Sequence, residues 1–469
     1  MPQQDTKRPN RSLVTTINND GSHFCVHPAD IKGRFVRLRR IVGYALIAFF
    51  VGLPWIPING HPAVFLDIID RRFHLFGFTL SFQDTWLLFF VVSGLGFSLF
   101  YITALFGRVW CGWACPQTVY LEHVYRRIER WIEGDANARR KLDRITISPE
   151  KILKRTLKYT IFFLVSFIIA HIFLSYFVSL PLLWRMITLS PAENWTSFLF
   201  VFFFTTVLFI NFAWFREQLC IVICPYGRFQ SALIDDHTKN VAYDYNRGNP
   251  PGKRNDPAAG DCIDCHRCVQ VCPTGIDIRQ GLQLECIGCS ACIDACDEIM
   301  EKVHTPKGLI RYASDAELKG GKTQWIRFRT ISYTILLFIG AIIAFQAFST
   351  LNNTSIAVIR MSGSPYYLTA DSVRNQYQVR LTNKTNALIQ LKGSITANAE
   401  QAFTTNGFER AISLQPMEET LATFVITVPK QSFTGNFPIA VEVTNPEDPT
   451  LHLTQTVEFL GPDPKLLNR

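Results

Sequence analysis

Three features of the 469-residue sequence predict a multi-domain membrane protein, with an α-helical transmembrane domain, a cysteine-rich insert and a C-terminal all-β sandwich. Long apolar blocks flanked by basic segments indicate helices that cross a membrane. Two runs of four cysteines with the same spacing lie between the fourth and the fifth apolar block. The last part of the sequence has short segments of β-branched and aromatic residues between turn signals, as is typical of antiparallel strands.

Five apolar blocks are long enough, or nearly long enough, to span a bilayer, and each lacks charged residues in its middle. The first contains Pro54 and Pro57, so we expect its helix to break before the outer interface. A buried soluble helix is the alternative for this block; otherwise we expect it to be retained as an anchor and not cleaved as a signal peptide. The predicted spans are residues 41–58, 86–106, 159–183, 198–215 and 331–348.

Basic residues between the spans predict the orientation of the chain. The first forty residues and the segment between the second and third spans are rich in Lys and Arg, whereas the loop at 184–197 has only Arg185. The positive-inside rule therefore places the N-terminus in the cytoplasm and, after five crossings, the C-terminus outside. These flanking residues also account for the net charge of +9, so we do not expect nucleic-acid binding.

Each cysteine run has the spacing C-x-x-C-x-x-C-x-x-x-C, which predicts a bacterial-ferredoxin-type domain with two [4Fe–4S] clusters. In this pattern the last cysteine of each run binds the other cluster. We therefore predict Cys262, Cys265, Cys268 and Cys296 as the ligands of one cluster, and Cys286, Cys289, Cys292 and Cys272 as the ligands of the other. Structural zinc is the alternative, but zinc sites favour two C-x-x-C pairs separated by a longer loop. Pro273 follows the first run, whereas Asp297 follows the second, so the turn there is expected to differ.

A second repeat lies after the second and fourth spans, where the sequences W-C-G-W-A-C-P-Q (Trp110–Gln117) and L-C-I-V-I-C-P-Y-G (Leu219–Gly227) occur. In each, two cysteines one helical turn apart precede a proline that disfavours helix at the second cysteine. If the two halves pack together, the four sulfurs could converge. Soft thiolates select copper(I), and a dithiol can also form a disulfide; ordinary apolar cysteines in membrane helices are the alternative. The candidate catalytic and copper-binding residues are Cys111, Cys115, Cys220 and Cys224.

The remaining cysteine and two of the histidines are given no ligand role. Cys25 has no partner nearby in the sequence, and His171, inside the third span, is expected to be satisfied by a neighbouring hydroxyl or carbonyl group. His266, in the first cysteine run, is expected to tune the local field. The segment after the fifth span has no cysteine, so the thiols are segregated in the part predicted to be reducing.

The connecting segments complete a prediction of five parts. Residues 117–133 alternate apolar and basic side chains at helical spacing, which predicts an amphipathic helix along the cytoplasmic face. The C-terminal pattern predicts about seven strands, the size of an immunoglobulin-like module, which serves as a stabilising cap or a protein-docking surface. The predicted parts are a basic cytoplasmic tail (1–40), a membrane domain with four spans (41–230), the cytoplasmic cluster insert with its linkers (231–325), the fifth span (326–350) and the exported sandwich (351–469).

The order of these motifs resembles that of the CcoG/FixG/RdxA proteins: the two C-x-x-x-C-P pairs, then the two cysteine runs, then an exported β-domain. The resemblance covers essentially the whole chain. It implies a membrane iron–sulfur protein of the bacterial inner membrane, with a periplasmic β-domain, that acts in the assembly of cbb3-type cytochrome c oxidases. It further implies an enzyme that reduces copper(II) to copper(I), with copper chaperones and oxidase subunits as partners.

Two other functions remain open at this point. The chain could be a quinol-oxidising subunit of an electron-transfer chain, although the exported sandwich argues against it. It could also be an assembly scaffold whose clusters are structural. The sequence identifies neither the cytoplasmic electron donor nor the oligomeric state, for which a homodimer is one arrangement.

Overall fold

The computed structural model describes residues 25–68, 71–80, 84–253, 256–349, 354–385, 387–397, 402–408, 411–448 and 451–464. The chain divides into two compact units, Met1–Phe345 and Gln346–Arg469. The first unit contains the apolar helices and both cysteine runs, and the second is built from strands. The principal helices of the described residues are α1 (Arg34–Gly52), α2 (Leu87–Phe106), α3 (Val109–Trp113), α4 (Pro116–Tyr120), α5 (Arg126–Glu133), α6 (Ala136–Arg144), α7 (Pro149–Leu174), α8 (Leu180–Thr188), α9 (Trp195–Ile210), α10 (Pro225–Leu233), α11 (Tyr245–Gly248), α12 (Arg267–Gln270), α13 (Ala291–Lys302), α14 (Asp315–Leu318) and α15 (Phe328–Ser349).

Four helical segments among the described residues are long and apolar enough to cross a membrane, and they correspond to the second to fifth predicted spans. The third of the predicted spans differs in its bounds, because α7 ends at Leu174 and α8 follows as a separate helix with Pro181 in its first turn. A proline there lacks the N–H that would continue the helix. The four segments are Leu87–Phe106, Pro149–Leu174, Pro191–Phe215 and Phe328–Ser349.

Helix α1 covers most of the first predicted span but is not one of these four. It begins at Arg34, inside the predicted tail, so four arginines lie in its first two turns, and it ends before Pro54 as expected. Its two ends meet opposite ends of the helical bundle. Arg39 Nε donates to the carbonyl of Gly112, beyond α2, at 2.6 Å, and the carbonyl of Phe50 accepts from the hydroxyl of Tyr176, beyond α7, at 2.6 Å.

Five short strands lie between α1 and α2 among the described residues. Strands β3, β4 and β5 form one antiparallel sheet, and β1 pairs with β2. The strands are β1 (Pro57–Ile58), β2 (His61–Pro62), β3 (Val64–Asp67), β4 (Arg72–Leu75) and β5 (Phe78–Leu80).

The predicted amphipathic segment at 117–133 is helical, but much of its polar side is inside the protein. It consists of α4, a π-helical turn at Leu121–Tyr125 and α5. Arg126 and Glu129 are each only 1% exposed and form ion pairs with Glu217 and Arg216, which lie in the turn after residue 215. The alternation of charges therefore predicted the helix correctly but not its surroundings.

The cysteine-rich insert is closed by a two-stranded antiparallel ladder of β6 (Asn240–Tyr243) and β7 (Ile310–Ala313). Helix α13 begins inside the second cysteine run and continues for 12 residues, so Asp297 lies in a helix and not in a turn. A proline at that position would remove a helical hydrogen bond. The Asp297 carboxylate instead accepts from the backbone N–H of Gly308 at 2.9 Å.

The second unit consists of two antiparallel sheets that share one hydrophobic core. One sheet has the order β12-β14-β10-β8, with β9 also paired to β10, and the other has the order β13-β11-β15-β16. The two sheets have nine strands among the described residues, where the sequence predicts about seven. The strands are β8 (Thr354–Arg360), β9 (Tyr367–Leu368), β10 (Ser372–Asn383), β11 (Ile389–Ala397), β12 (Thr404–Asn406), β13 (Ile412–Leu414), β14 (Glu419–Pro429), β15 (Phe437–Thr444) and β16 (His452–Phe459).

The core of this unit follows from the alternation of side chains along its strands. In β10 the alternate residues Tyr377, Val379 and Leu381 are at most 1% exposed, and β15 buries Ile439 and Val441 in the same way. Two sheets that each bury one face against the other form a sandwich.

Candidate functional site

The two cysteine runs of the insert fold around a shared apolar core. Cys262 and Cys268 pack with Tyr243, Ile278 and other residues of β6, β7 and α13. Three of the eight thiols lie in a helix, Cys268 in α12 and both Cys292 and Cys296 in α13. Two others directly precede the N-cap residue of one of these helices. The chain reaches these helices through left-handed residues at His266 (φ 52°) and Ser290 (φ 63°).

The first group of thiols is formed by Cys296 and three cysteines of the first run. Cys262, Cys265 and Cys268 are the electrostatic neighbours of the Cys296 sulfur, together with Asp297. Burial raises the pKa of Cys296 to about 12 in the metal-free chain, and these neighbours add to the effect. Cys265 is exposed, whereas Cys262 and Cys268 are buried.

The second group is formed by Cys272 and three cysteines of the second run. Cys286, Cys289 and Cys292 each have Cys272 as an electrostatic neighbour. Burial raises the pKa of all three thiols, that of Cys289 to about 12. Cys272, Cys286, Cys289 and Cys292 line one small cavity with Ile276 and Ile287, and Cys268 of the first group borders the same cavity.

The two groups have the donor chemistry that [4Fe–4S] clusters need. Each offers four thiols from both runs in a largely apolar setting, and a bound cluster would take them as thiolates. No three His, Cys, Asp or Glu side chains of the described residues converge closely enough to hold a single metal ion. A cluster of four irons needs its ligands further apart than one ion does, so this separation is consistent with clusters.

The four cysteines of the C-x-x-x-C-P pairs come together at the ends of the two membrane hairpins. Cys111, Cys115 and Cys224 are all electrostatic neighbours of the Cys220 sulfur. Both cysteines that precede proline are extended, Cys115 with φ −62° and ψ 126° and Cys224 with φ −64° and ψ 113°. This is the effect of the following proline that the sequence predicts.

The two pairs differ in their local backbone. Cys111 lies in α3, whereas Cys220 lies in a π-helical turn, Leu219–Ile223, closed by the Cys224 N–H bonding to the carbonyl of Leu219 at 2.8 Å. Single π-helical turns are frequent at functional sites. Burial raises the pKa of Cys111 to about 12, and its Sγ lies 3.7 Å from the Oε1 of buried Gln230.

The first pair lies directly against the second group of cluster cysteines. A Cβ atom on Gly112 would be 2.7 Å from the carbonyl oxygen of Ile287 and 2.8 Å from the backbone nitrogen of Cys289. Only a glycine allows two backbones to approach this closely. Cys111 also packs on the buried cluster that contains Ile287 and Cys289. The four-cysteine site and the second thiol group are therefore in van der Waals contact.

Buried charged residues surround this contact, and the sequence did not identify them. Arg216 is 2% exposed, pairs with Glu129 at 2.8 Å, and donates to the Sγ of Cys25 at 3.5 Å. Arg126 joins Glu217 at 3.1 Å to the carbonyl of Pro273, the residue after Cys272, at 3.0 Å. From the sequence, the basic residues predict only the membrane topology. No local pattern shows which charged residues form ion pairs across more than eighty residues of sequence.

The other residues singled out from the sequence have ordinary partners. His171 Nδ1 lies 2.9 Å from the carbonyl oxygen of Phe167, as expected for an intramembrane histidine without a metal. The His266 ring receives a hydrogen bond from Arg279 at 2.8 Å and lies at the exposed edge of the first thiol group. Cys25, which was expected to have no partner, contacts the Arg216 guanidinium.

Comparison with protein families assigns domains to the same three regions. Residues 215–315 match a family described as a 4Fe-4S dicluster domain, and residues 85–134 match a 4Fe-4S binding domain. Residues 344–462 match the IG-like fold at the C-terminus of FixG. The clusters are thus supported for the insert, and the immunoglobulin-like prediction is supported for the second unit.

Three curated bacterial proteins are similar over most of the chain. Protein RdxA of Cereibacter sphaeroides is 37% identical over 379 residues, which are 76% of this chain and 79% of that protein. Protein RdxB of the same organism is 35% identical over 428 residues, 86% of this chain and 88% of that protein. Nitrogen fixation protein FixG of Rhizobium meliloti is 31% identical over 483 residues, 91% of this chain and 90% of that protein.

Proposed function

This chain belongs to the FixG/RdxA family of membrane iron–sulfur electron-transfer proteins, and from this premise we propose that it reduces copper(II) to copper(I) for the assembly of a cbb3-type cytochrome c oxidase. Each copper(II) ion takes up one electron, and a cytoplasmic one-electron donor protein is the reductant. When bound, the two [4Fe–4S] clusters supply one-electron transfer at low potential.

The observation that carries this proposal is the contact of Gly112 with Cys289. It brings four neighbouring thiols to the edge of a second thiol group that suits an iron–sulfur cluster. Electron transfer requires close approach, and here no side chain separates the two backbones. We assign Cys272, Cys286, Cys289 and Cys292 to this cluster, and Cys262, Cys265, Cys268 and Cys296 to the other.

The four cysteines Cys111, Cys115, Cys220 and Cys224 are the proposed copper site. Thiolates stabilise the soft copper(I) ion over copper(II), so binding here favours the reduced product. Because burial raises the pKa of Cys111 to about 12, copper must displace its proton on binding. The side chains must also rotate towards one another, since the thiols do not yet converge on a single point among the described residues.

The contacts of α1 support a fifth crossing and a cytoplasmic site. Arg39, near the start of α1, meets Gly112, and Ala29 donates to the carbonyl of Gln270 at 2.8 Å, so the N-terminal segment lies on the side of the cluster insert. Because α2 returns the chain to this side, an earlier crossing is needed, and α1 provides it. With the positive-inside rule, we propose an inner-membrane protein with both cysteine sites in the cytoplasm and the β-domain in the periplasm.

The site assignment is tested by replacing all four proposed copper ligands with serine and measuring copper(II) reduction anaerobically with a copper(I)-specific chromogenic chelator. We expect the rate to fall to that of the solution without protein while iron stays at about eight atoms per chain. Cys25→Ser is the matched control and should leave the rate unchanged. Undiminished reduction with iron intact would overturn the copper site. If the parent protein holds more than eight irons and the four-serine variant loses the excess, these cysteines bind a further cluster instead.

The cellular role is tested separately by deleting the coding sequence from the source bacterium. We expect low cbb3-type oxidase activity that returns when copper is added to the medium, because the proposed role is copper supply to chaperones and oxidase subunits. Normal oxidase assembly without the chain would contradict this role and leave the chemistry of the purified protein unaffected.

A further inference from the structure

Arg108 is a buried guanidinium at the junction of the two cysteine sites. It is 6% exposed and donates from one nitrogen to the carbonyls of Leu284 and Cys286, and from the other to the carbonyl of Gly227 at 2.7 Å. It therefore joins three segments: the start of α3, the loop of the second cluster group and the first turn of α10, which follows the second C-x-x-x-C-P pair.

The positive charge of Arg108 has no carboxylate within ion-pair distance among the described residues, in contrast to Arg126 and Arg216. The groups that its charge faces are first the sulfurs of Cys286 and Cys111, and then Glu285. An isolated buried charge is costly, so its retention implies negative charge at these sulfurs.

A second buried arginine lies on the other side of the same contact. Arg39, also 6% exposed, donates to the carbonyl of Gly112 at 2.6 Å, and its charge is the one that acts most strongly on the Cys289 sulfur. Its only carboxylate partner among the described residues, Glu122, is 4.0 Å away and is also paired with Arg126.

The first thiol group has the opposite electrostatic surroundings. The Asp277 charge acts most strongly on the Cys268 sulfur, and Asp297 lies beside Cys296. Arg279 is present, but it is tied to Asp277 at 2.7 Å and also to Asp264. Cys265 of this group is exposed, whereas the second group has no exposed thiol.

We infer that Arg108 and Arg39 hold the iron–sulfur site of Cys272, Cys286, Cys289 and Cys292 at a higher reduction potential than the other, so that electrons enter at the exposed Cys265 side and leave at Gly112. Reduction adds one negative charge, which buried positive charges stabilise and nearby carboxylates oppose. This inference rests on the proposed cluster assignment, but it does not require copper to be the acceptor. Arg108 is a positioning residue, since it acts on the sulfur ligands.

The experiment is an anaerobic redox titration of the full-length protein in detergent, followed by EPR, with Arg108→Gln compared with the parent. We expect one of the two midpoint potentials to fall and the other to stay, with iron unchanged. Arg108→Lys, which keeps the charge, should shift this potential less. Arg228→Gln is the matched control. It removes an exposed arginine in the first turn of α10, next to Gly227, and should move neither potential.

Two further variants keep the inference falsifiable if Arg108→Gln fails to retain iron. Arg39→Gln should lower the same potential, and the shift should persist in a Cys296→Ser background, where only the site beside Arg108 is intact. Unchanged potentials in Arg39→Gln, or equal shifts of both, would overturn the inference. Absence of copper(II) reduction with these potentials as expected would instead contradict the proposed substrate alone.

Discussion

Gly107 and Arg216 have the same unusual backbone conformation at equivalent positions of the two halves. Gly107 has φ 57° and ψ −126°, and Arg216 has φ 51° and ψ −120°; each lies four residues before the first cysteine of its pair. The membrane domain is therefore repeated in its backbone as well as in its motifs. Only one half uses glycine, so the arginine conformation must be held by its surroundings.

Arg216→Ala should lower the free energy of unfolding by about 3 kcal/mol, because it leaves the buried Glu129 carboxylate without its closest partner. Arg216→Gly removes the same ion pair but suits the positive φ, so it should be about 1 kcal/mol more stable than the alanine variant. Denaturant unfolding in detergent micelles measures both. Equal stability of the two variants would show that the backbone there is unstrained.

The same ion pair predicts a loss of stability in acid. Burial disfavours the charged form of Glu129, but Arg216, Lys158 and Arg139 outweigh it and lower its pKa to about 2. A lowered pKa contributes stability above the ordinary value of 4.5, and this contribution is lost as the pH falls from there towards 2. Glu129→Gln should be less stable at pH 7 and should lack this part of the acid dependence, which unfolding curves at several pH values would detect.

Gly112→Ala should separate the four-cysteine site from the second thiol group. The added methyl group would be 2.7 Å from the carbonyl of Ile287, so one backbone must move, at a cost of about 1–3 kcal/mol. We expect slower copper(II) reduction with both clusters retained. Gly96→Ala is the control, since a Cβ there has no atom within 4 Å. A parent-like rate for Gly112→Ala would contradict the importance of this contact.

Single serine substitutions test the crossed ligand sets. Cys272→Ser lies in the first run but should abolish the cluster held by the second run, and Cys296→Ser should do the reverse. Each variant should retain about four irons and a different EPR signal. If the sets are crossed, Cys272→Ser should leave the same residual signal as Cys289→Ser; a residual signal equal to that of Cys268→Ser instead would show that the sets are not crossed.

The pH dependence of alkylation tests the buried state of Cys111. With its pKa raised to about 12, its reaction with iodoacetamide should still accelerate between pH 9 and pH 11, whereas an ordinary thiol levels off near its pKa of 9. Mass spectrometry of copper-free protein would resolve the site. A plateau near pH 9 would mean that water reaches the sulfur.

Local patterns predicted the elements whose chemistry is encoded over a few residues. The cysteine spacing predicts that Cys272 joins the second run and Cys296 the first, and the electrostatic neighbours of these sulfurs are consistent with that grouping. Proline predicted the extended backbone at Cys115 and Cys224. Apolar length predicted five spans, and four of them correspond to helices among the described residues that could span a membrane. The third ends earlier than predicted, before the separate helix that has Pro181 in its first turn.

What the sequence could not supply depends on contacts between distant segments. Nothing in the spacing of Gly112 shows that its missing side chain faces Cys289, more than 170 residues away. The basic residues Arg108 and Arg216 indicate topology when counted, but their burial and partners appear only after the halves pack together. Cys25 was judged to have no partner for the same reason.

The N-terminus of α1 is hydrogen-bonded to the cysteine-rich insert, so its position depends on how that insert is folded. Its first residue follows Gly33, which offers no side chain to the free N–H groups, and these bond instead to Asp294, at 3.2 Å from Phe35 and 2.8 Å from Val36. Asp294 lies between Cys292 and Cys296, so its position depends on helix α13 forming around filled iron sites. We therefore expect a chain starved of iron to lose the anchorage of α1, which would leave its N-terminal segment accessible to proteases.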